Sequence, residues 1–62
     1  MGTKKQRQDW GAKVRAARKA LGLTQAGMAI HLDVHVSTIC KWEQGRALPH
    51  RMFKKRLEGI RE

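Results

Sequence analysis

The chain has 62 residues, with 14 Lys and Arg against 5 Asp and Glu, a formal net charge of +9 and a pI near 11.0. A chain of about 60 residues buries only about 60% of the surface it exposes on unfolding, so three or four helices around one core fit, whereas a walled catalytic cleft does not. The cationic excess favours a polyanionic partner, either nucleic acid or an anionic membrane surface, while no apolar run approaches the ~18 residues of a membrane span.

Residues 1–8 carry no apolar residue after Met1 and read as a flexible basic arm bearing Lys4, Lys5 and Arg7. No apolar stretch follows this basic start, so no signal peptide is expected. Asp9 is then the expected N-cap of a first helix over residues 9–21. Within it Trp10, Val14, Ala17 and Leu21 recur at spacings of four, three and four, which places them on one helical stripe. Gly22 follows as a C-terminal stop. Thr24 caps a second helix over 25–32, with Met28, Ala29 and Leu32 as its inner face. Asp33 occupies the turn, where Asp tolerates a left-handed backbone better than most side chains, and Val34 is expected to be buried beside it. A third helix runs over 36–44, from a cap at or near His35 to a stop at Gly45. After a loop over 46–49, Pro49 suits the start of a fourth helix over 50–60. Met52, Phe53 and Leu57 are expected to face inward there, with Lys54, Lys55 and Arg56 mostly outward. No strand pattern occurs. The expected fold is therefore all-α, a compact four-helix domain over 9–62 behind the arm.

The stretch from Leu23 to Gly45, LTQAGMAIHLDVHVSTICKWEQG, encodes two short amphipathic helices joined by a tight turn. That is the sequence form of a helix-turn-helix, whose second helix lies in the DNA major groove. At about 100° per residue, Val36, Cys40, Gln44, Ser37 and Lys41 share one arc of about 140°, and Thr38, Trp42 and Ile39 fall opposite. The apolar side is expected to dock on the first two helices. The other side is narrow and polar. Val36 there suits a thymine methyl, Ser37 either kind of base edge, and Lys41 a guanine acceptor or a phosphate. A plain solvated helix face is the alternative for one helix taken alone; the turn, the caps and the charge point the other way. The unpaired N–H groups and positive dipole end at Thr24 and Gln25 offer a phosphate site. Gln25 is also placed to brace a side chain of the third helix. Lys4, Lys5 and Arg7 follow the backbone or enter the minor groove in this reading, or else form a solubilising tail. At least some of Arg46, Arg51, Lys54, Lys55 and Arg56 are expected to bind flanking phosphates, because the loop after the third helix lies near the backbone in such docking; a fully solvated fourth helix is the alternative.

The chain resembles the Cro/C1-type helix-turn-helix regulators of the XRE family. The resemblance rests on Arg18, Leu21-Gly22-Leu23-Thr24-Gln25, Met28-Ala29, Leu32, Val34, Ser37-Thr38-Ile39 and Trp42-Glu43-Gln44-Gly45, and covers residues 14–49. It implies a lambda-repressor-like, all-helical DNA-binding domain acting as a small transcriptional regulator, usually a repressor, in a bacterium, phage or mobile element. It further implies that Arg18 pairs with Glu43, that Gln25 lies at the phosphate backbone, and that Val36, Ser37 and Lys41 face base edges or nearby phosphates with Cys40 between them. Gly27 stands where the family usually carries an acidic residue, and Ile30 where it usually carries a polar one. Many relatives add a fifth helix and a dimerisation region; four helices are expected here, which leaves a homodimer on DNA open.

Other constellations are weaker. His31 and His35 are four residues apart, but the turn at Asp33 breaks their helical face, so no metal is expected. Cys40 has no base held by an orienting acid, and no enzyme activity and no cofactor are expected. Cys40 beside Lys41 reads as a small contact residue or as a thiol sensitive to oxidation. As the single cysteine it excludes an internal disulfide, in keeping with a reducing cytoplasm. Double-stranded DNA is the expected partner, with no membrane. A protein partner, such as the toxin of a toxin–antitoxin pair, is the competing reading, motivated by Ile30.

Overall fold

A computed structural model describes residues 2–60. Four helices follow one another: α1 (Lys4–Ala20), α2 (Gln25–Leu32), α3 (Val36–Glu43) and α4 (Arg51–Glu58). No strand occurs among the described residues. The all-α fold is as expected, with differences at both ends: α1 begins earlier, and α4 spans Arg51–Glu58 rather than 50–60, with His50 as its N-cap and Gly59 as its C-cap.

The first difference is where α1 begins. Its N-cap is Thr3, not Asp9, and Lys4 to Gln8 are helical rather than an arm. The Thr3 hydroxyl accepts from the Gln6 amide at 3.1 Å while Gln6 Oε1 accepts from the Thr3 amide at 2.9 Å. This reciprocal pair is a capping box, and Thr-x-x-Gln is its sequence form. Helical periodicity was silent there because residues 2–8 carry no apolar side chain to mark a face. The other caps sit at Thr24, His35 and His50, each accepting from a backbone amide of the first turn.

Three helix ends close by one device. Gly22, Asp33 and Gly45 have φ of 68°, 58° and 72°. In each case the amide of the left-handed residue donates three residues back and the next amide five residues back. Gly22 and Leu23 donate to Lys19 and Arg18, Asp33 and Val34 to Ile30 and Ala29, and Gly45 and Arg46 to Trp42 and Lys41. This Schellman pattern satisfies carbonyls that a helix end leaves without partners. Asp33 holds the one non-glycine left-handed backbone among the described residues, as its place in the turn predicted.

Val14 and Ala17 of α1, Met28, Ala29 and Leu32 of α2, Ile39 and Trp42 of α3, and Leu57 of α4 form one core. Trp10, Leu23, Val34, Ala47, Phe53 and Ile60 pack around it, partly buried. α3 contacts both α1 and α2, and α4 closes against α1. The Trp42 and Phe53 rings, 5.5 Å apart and tilted by 51°, join α3 to α4.

Two expected core residues are exposed. Leu21 is the C-cap of α1, and the turn at Gly22 brings Leu23 inward in its place. Met52 is exposed because Phe53 and Leu57, four residues apart, already define the inner stripe of α4. Val34 is half-buried rather than fully buried.

At Gly11 the backbone of α1 comes close to the end of α3. A Cβ there would stand 2.6 Å from the Trp42 carbonyl oxygen and 3.0 Å from that of Glu43. Both neighbours are backbone, so one helix must shift to admit a methyl group. Gly11→Ala is therefore expected to destabilise the domain by about 1–3 kcal/mol despite the better helix propensity of Ala. Gly27→Ala, which meets mainly the Leu23 side chain, is expected to stabilise by up to about 1 kcal/mol. Thermal melts of the two variants check both signs.

Candidate nucleic-acid interface

The orientation of α3 about its own axis decides what the molecule presents. Ile39 and Trp42 are buried against the other helices, and Val36, Ser37, Lys41 and Gln44 are exposed, with Cys40 half-buried beside them. The five residues share the arc expected from helical spacing. Their placement is legible in the sequence because the two large apolar residues, Ile39 and Trp42, fall on the opposite side with Thr38.

The N-terminal end of this face is small and ordered. His35 Nδ1 accepts from the Ser37 amide at 3.1 Å and lies 2.8 Å from Ser37 Oγ. The cap of α3 thus also holds the side chain at its second position. Because Nδ1 serves as the cap acceptor, the ring proton is assigned to Nε2. Among the described residues no three His, Cys, Asp or Glu gather as a metal site.

The N-terminus of α2 lies beside α3. Thr24 Oγ1 accepts from the Gly27 amide at 3.0 Å, which leaves the Gln25 and Ala26 amides, at the first two helical positions, without an acceptor in the helix. The Gln25 side chain crosses to α3. Its Nε2 donates to Glu43 Oε1 at 3.4 Å, and its Oε1 accepts from Cys40 Sγ at 3.3 Å.

Glu43 is the anchor of this corner, with a side chain only 3% exposed. Arg18 Nε donates to Oε2 at 2.9 Å and Arg18 Nη2 to Oε1 at 3.3 Å, a two-pronged grip. Arg18 Nη1 donates to the Leu23 carbonyl at 3.1 Å, which ties the α1–α2 link to the same cation. Arg15 stands 3.5 Å from Oε1 and from the Glu43 carbonyl oxygen. The Arg18–Glu43 pair is present as the family resemblance implied. Gln25, expected to brace a side chain of the third helix, meets Glu43 and Cys40; Arg15 is an additional partner of Glu43, one helical turn before Arg18 and on the same side of α1.

The remaining cations divide into two groups. Lys4 and Lys5 are exposed in the first turn of α1, Arg51 is exposed at the start of α4, and Arg46 is exposed just past α3 with Nη1 3.5 Å from Gln44 Oε1. Arg7 is differently placed from the expected arm. Its Nε donates to the Gly45 carbonyl at 3.2 Å and its Nη1 to that of Gly2 at 2.9 Å. It therefore fastens the N-terminus of α1 to the end of α3. Lys54 is half-buried, with Nζ 5.4 Å from the centre of the Trp10 ring, which turns it toward α1; Lys13 lies 4.5 Å from the same ring. Arg56 donates to the His31 carbonyl at 3.2 Å.

The helix-turn-helix domain family matches residues 9–57 of the chain. A protein of Bacillus subtilis (strain 168), described as an uncharacterized HTH-type transcriptional regulator, YazB, is 45% identical over 40 residues. That match covers 64% of this chain and 58% of the relative, so the chain spans somewhat over half the length of the relative it matches. No solved structure gives a significant match.

The two arginines on Glu43 should differ sharply in their contribution to stability, since the Arg18 side chain is 18% exposed and that of Arg15 50%. Arg18→Ala strands a buried carboxylate and is expected to cost about 3 kcal/mol or more, whereas Arg15→Ala is expected to cost under about 1 kcal/mol. Urea denaturation of the two variants measures the difference.

Proposed function

The chain belongs to the helix-turn-helix domain family, and from that premise we propose that it is a sequence-specific binder of double-stranded DNA that acts as a small transcriptional regulator. The observation that carries the reading is the split of α3 into a buried apolar side and an exposed side bearing Val36, Ser37, Lys41 and Gln44. A helix of that kind fits the major groove, which is about 12 Å wide and presents a distinct donor and acceptor pattern for each base pair. In this account Ser37 and Lys41 read base edges, Val36 contacts a thymine methyl, and Gln44 and Cys40 border the same groove. The description of the B. subtilis relative as a transcriptional regulator supports the regulatory half, which would operate in the cytoplasm by occupancy of a promoter.

Phosphate contacts fall to two places. The open amides at the start of α2, with Thr24 and Gln25, accept one phosphate at a positive dipole end. Lys4, Lys5, Arg46 and Arg51 hold others around the end of α3. None of the four helices has an acidic residue in its first turn. Lys4 and Lys5 on the first turn of α1 oppose its dipole, an arrangement that costs about 0.3–1 kcal/mol per charge in the free protein. A polyanion at that end relieves it. Arg7 and Lys54 contribute less in this account, because each already has a partner within the fold.

Two measurements test the reading. Selection of bound sites from random duplex DNA is expected to return a defined motif, with Lys41→Ala weakening binding to that motif by about 1–3 kcal/mol and relaxing preference at one position. Unchanged affinity and preference in Lys41→Ala would remove α3 from the interface. Affinity is expected to fall with salt at a log–log slope of about −3 to −4 if four phosphates are neutralised, at about −0.9 for each. A flat salt dependence would contradict a phosphate-bound complex.

A further inference from the structure

The Gln25 side chain meets one group at each end of its amide. Glu43 Oε1, a carboxylate oxygen held by Arg18 Nη2, can only accept, and lies 3.4 Å from Gln25 Nε2. Cys40 Sγ lies 3.3 Å from Gln25 Oε1 and supplies the S–H. A flipped amide would set its carbonyl oxygen against the carboxylate. The acceptor-only carboxylate therefore selects the orientation, and the thiol, which can donate or accept, donates its S–H to the carbonyl oxygen that this orientation presents. In that orientation one Nε2 hydrogen goes to Glu43 and the second remains unassigned within the network. Gln25 is the first residue of α2, beside the open amides of that helix N-terminus.

We propose that Cys40 is a positioning residue for phosphate binding: its thiol, through the Gln25 carbonyl, holds the Gln25 amide so that the second Nε2 hydrogen points to a DNA phosphate at the start of α2. The proposal rests on the DNA-binding reading, and departs from it in one respect. Cys40 lies on the arc of α3 that reads bases, yet here it acts on the backbone contact of another helix. The link runs from α3 to α2 and from Cys40 to Glu43 through one side chain. A residue at position 40 that cannot donate leaves the amide held at one end only, and by the longer of its two contacts. The amide then samples rotamers in which the free hydrogen is misdirected.

A base contact by Cys40 and a positioning role predict different outcomes. Positioning predicts that Cys40→Ala lowers duplex affinity about five- to tenfold, the size of one hydrogen bond. The loss is the same for the selected site and for unrelated duplex, because phosphate contacts carry no sequence information. The salt slope stays unchanged, because a neutral amide releases no counterion. Gln25→Ala shows the same loss, the double variant is no weaker than Gln25→Ala alone, and Cys40→Ser, which keeps a donor, recovers most of the affinity. Additive losses in the double variant would overturn the proposal, as would a loss confined to the selected site. A second readout needs no DNA. In the free protein, the pair of side-chain amide NMR signals of Gln25 is expected to shift toward free-glutamine positions in Cys40→Ala and to stay near its original positions in Cys40→Ser. Signals unmoved by Cys40→Ala would overturn the positioning role even if the protein binds DNA as proposed; shifted signals in a protein without duplex affinity would instead overturn the DNA-binding reading on which the proposal rests.

Discussion

One buried carboxylate sets the geometry of this small domain. Glu43 ends α3, yet its side chain is almost fully removed from solvent. An ion in that position persists only with close partners, because an unpaired buried charge costs several kcal/mol. Its partners come from two other helices, Arg18 and Arg15 from α1 and Gln25 from α2. The same Arg18 binds the Leu23 carbonyl in the α1–α2 link. These contacts resist rotation of α3 about its axis. With Ile39 and Trp42 inserted into the core, that rotation is what determines whether Val36, Ser37 and Lys41 face outward. The ionic corner therefore constrains the orientation of α3, and loss of one partner from it also strands a buried charge.

Close backbone packing supports the same arrangement. Gly11 lets α1 approach the carbonyls of Trp42 and Glu43, and Arg7 adds a bond to the Gly45 carbonyl at the end of α3. Three of the four helix C-termini turn through a left-handed residue, and the α1–α2 and α2–α3 links are short, whereas the α3–α4 link runs over residues 44–50. In a domain of 62 residues, where total stability is about 3–9 kcal/mol, such local devices are a large share of the whole. The net charge of +9 works against compactness through self-repulsion. Among the described cations Arg7, Arg18 and Lys54 are half-buried and engaged within the fold, and the others are exposed at the surface.

Much of this was legible from residue types and spacing. The α2–α3 unit has strong local signals: Thr24 before the helix, Asp33 at a left-handed turn, Gly45 at the stop, and two large apolar residues, Ile39 and Trp42, on one side of α3. The seam between α1 and α3 was harder to read. Gly11 carries no side chain, so a hydrophobic stripe passes over it, although it is the residue that sets the helix spacing. Arg15 and Arg18 are two cations among 14, and only the burial of Glu43 distinguishes them from surface charges. The start of α1 was missed because periodicity needs apolar residues, although Thr3 and Gln6 carried the capping signal. Leu21 and Met52 misled because helical spacing alone does not report which neighbour takes an inward place. Gln25 as a brace for α3 was legible in outline; its two partners, Cys40 and Glu43, required coordinates.

The central claim is that the ionic corner orients α3 so that one named face meets a duplex. A crystal structure of the protein on a selected DNA site tests it most directly. The account predicts the N-terminal half of α3 inside the major groove, Ser37 and Lys41 against base edges, and Glu43 still gripped by Arg18. A complex in which α3 lies outside the groove, or reaches it only after Glu43 has left Arg18, would contradict the account.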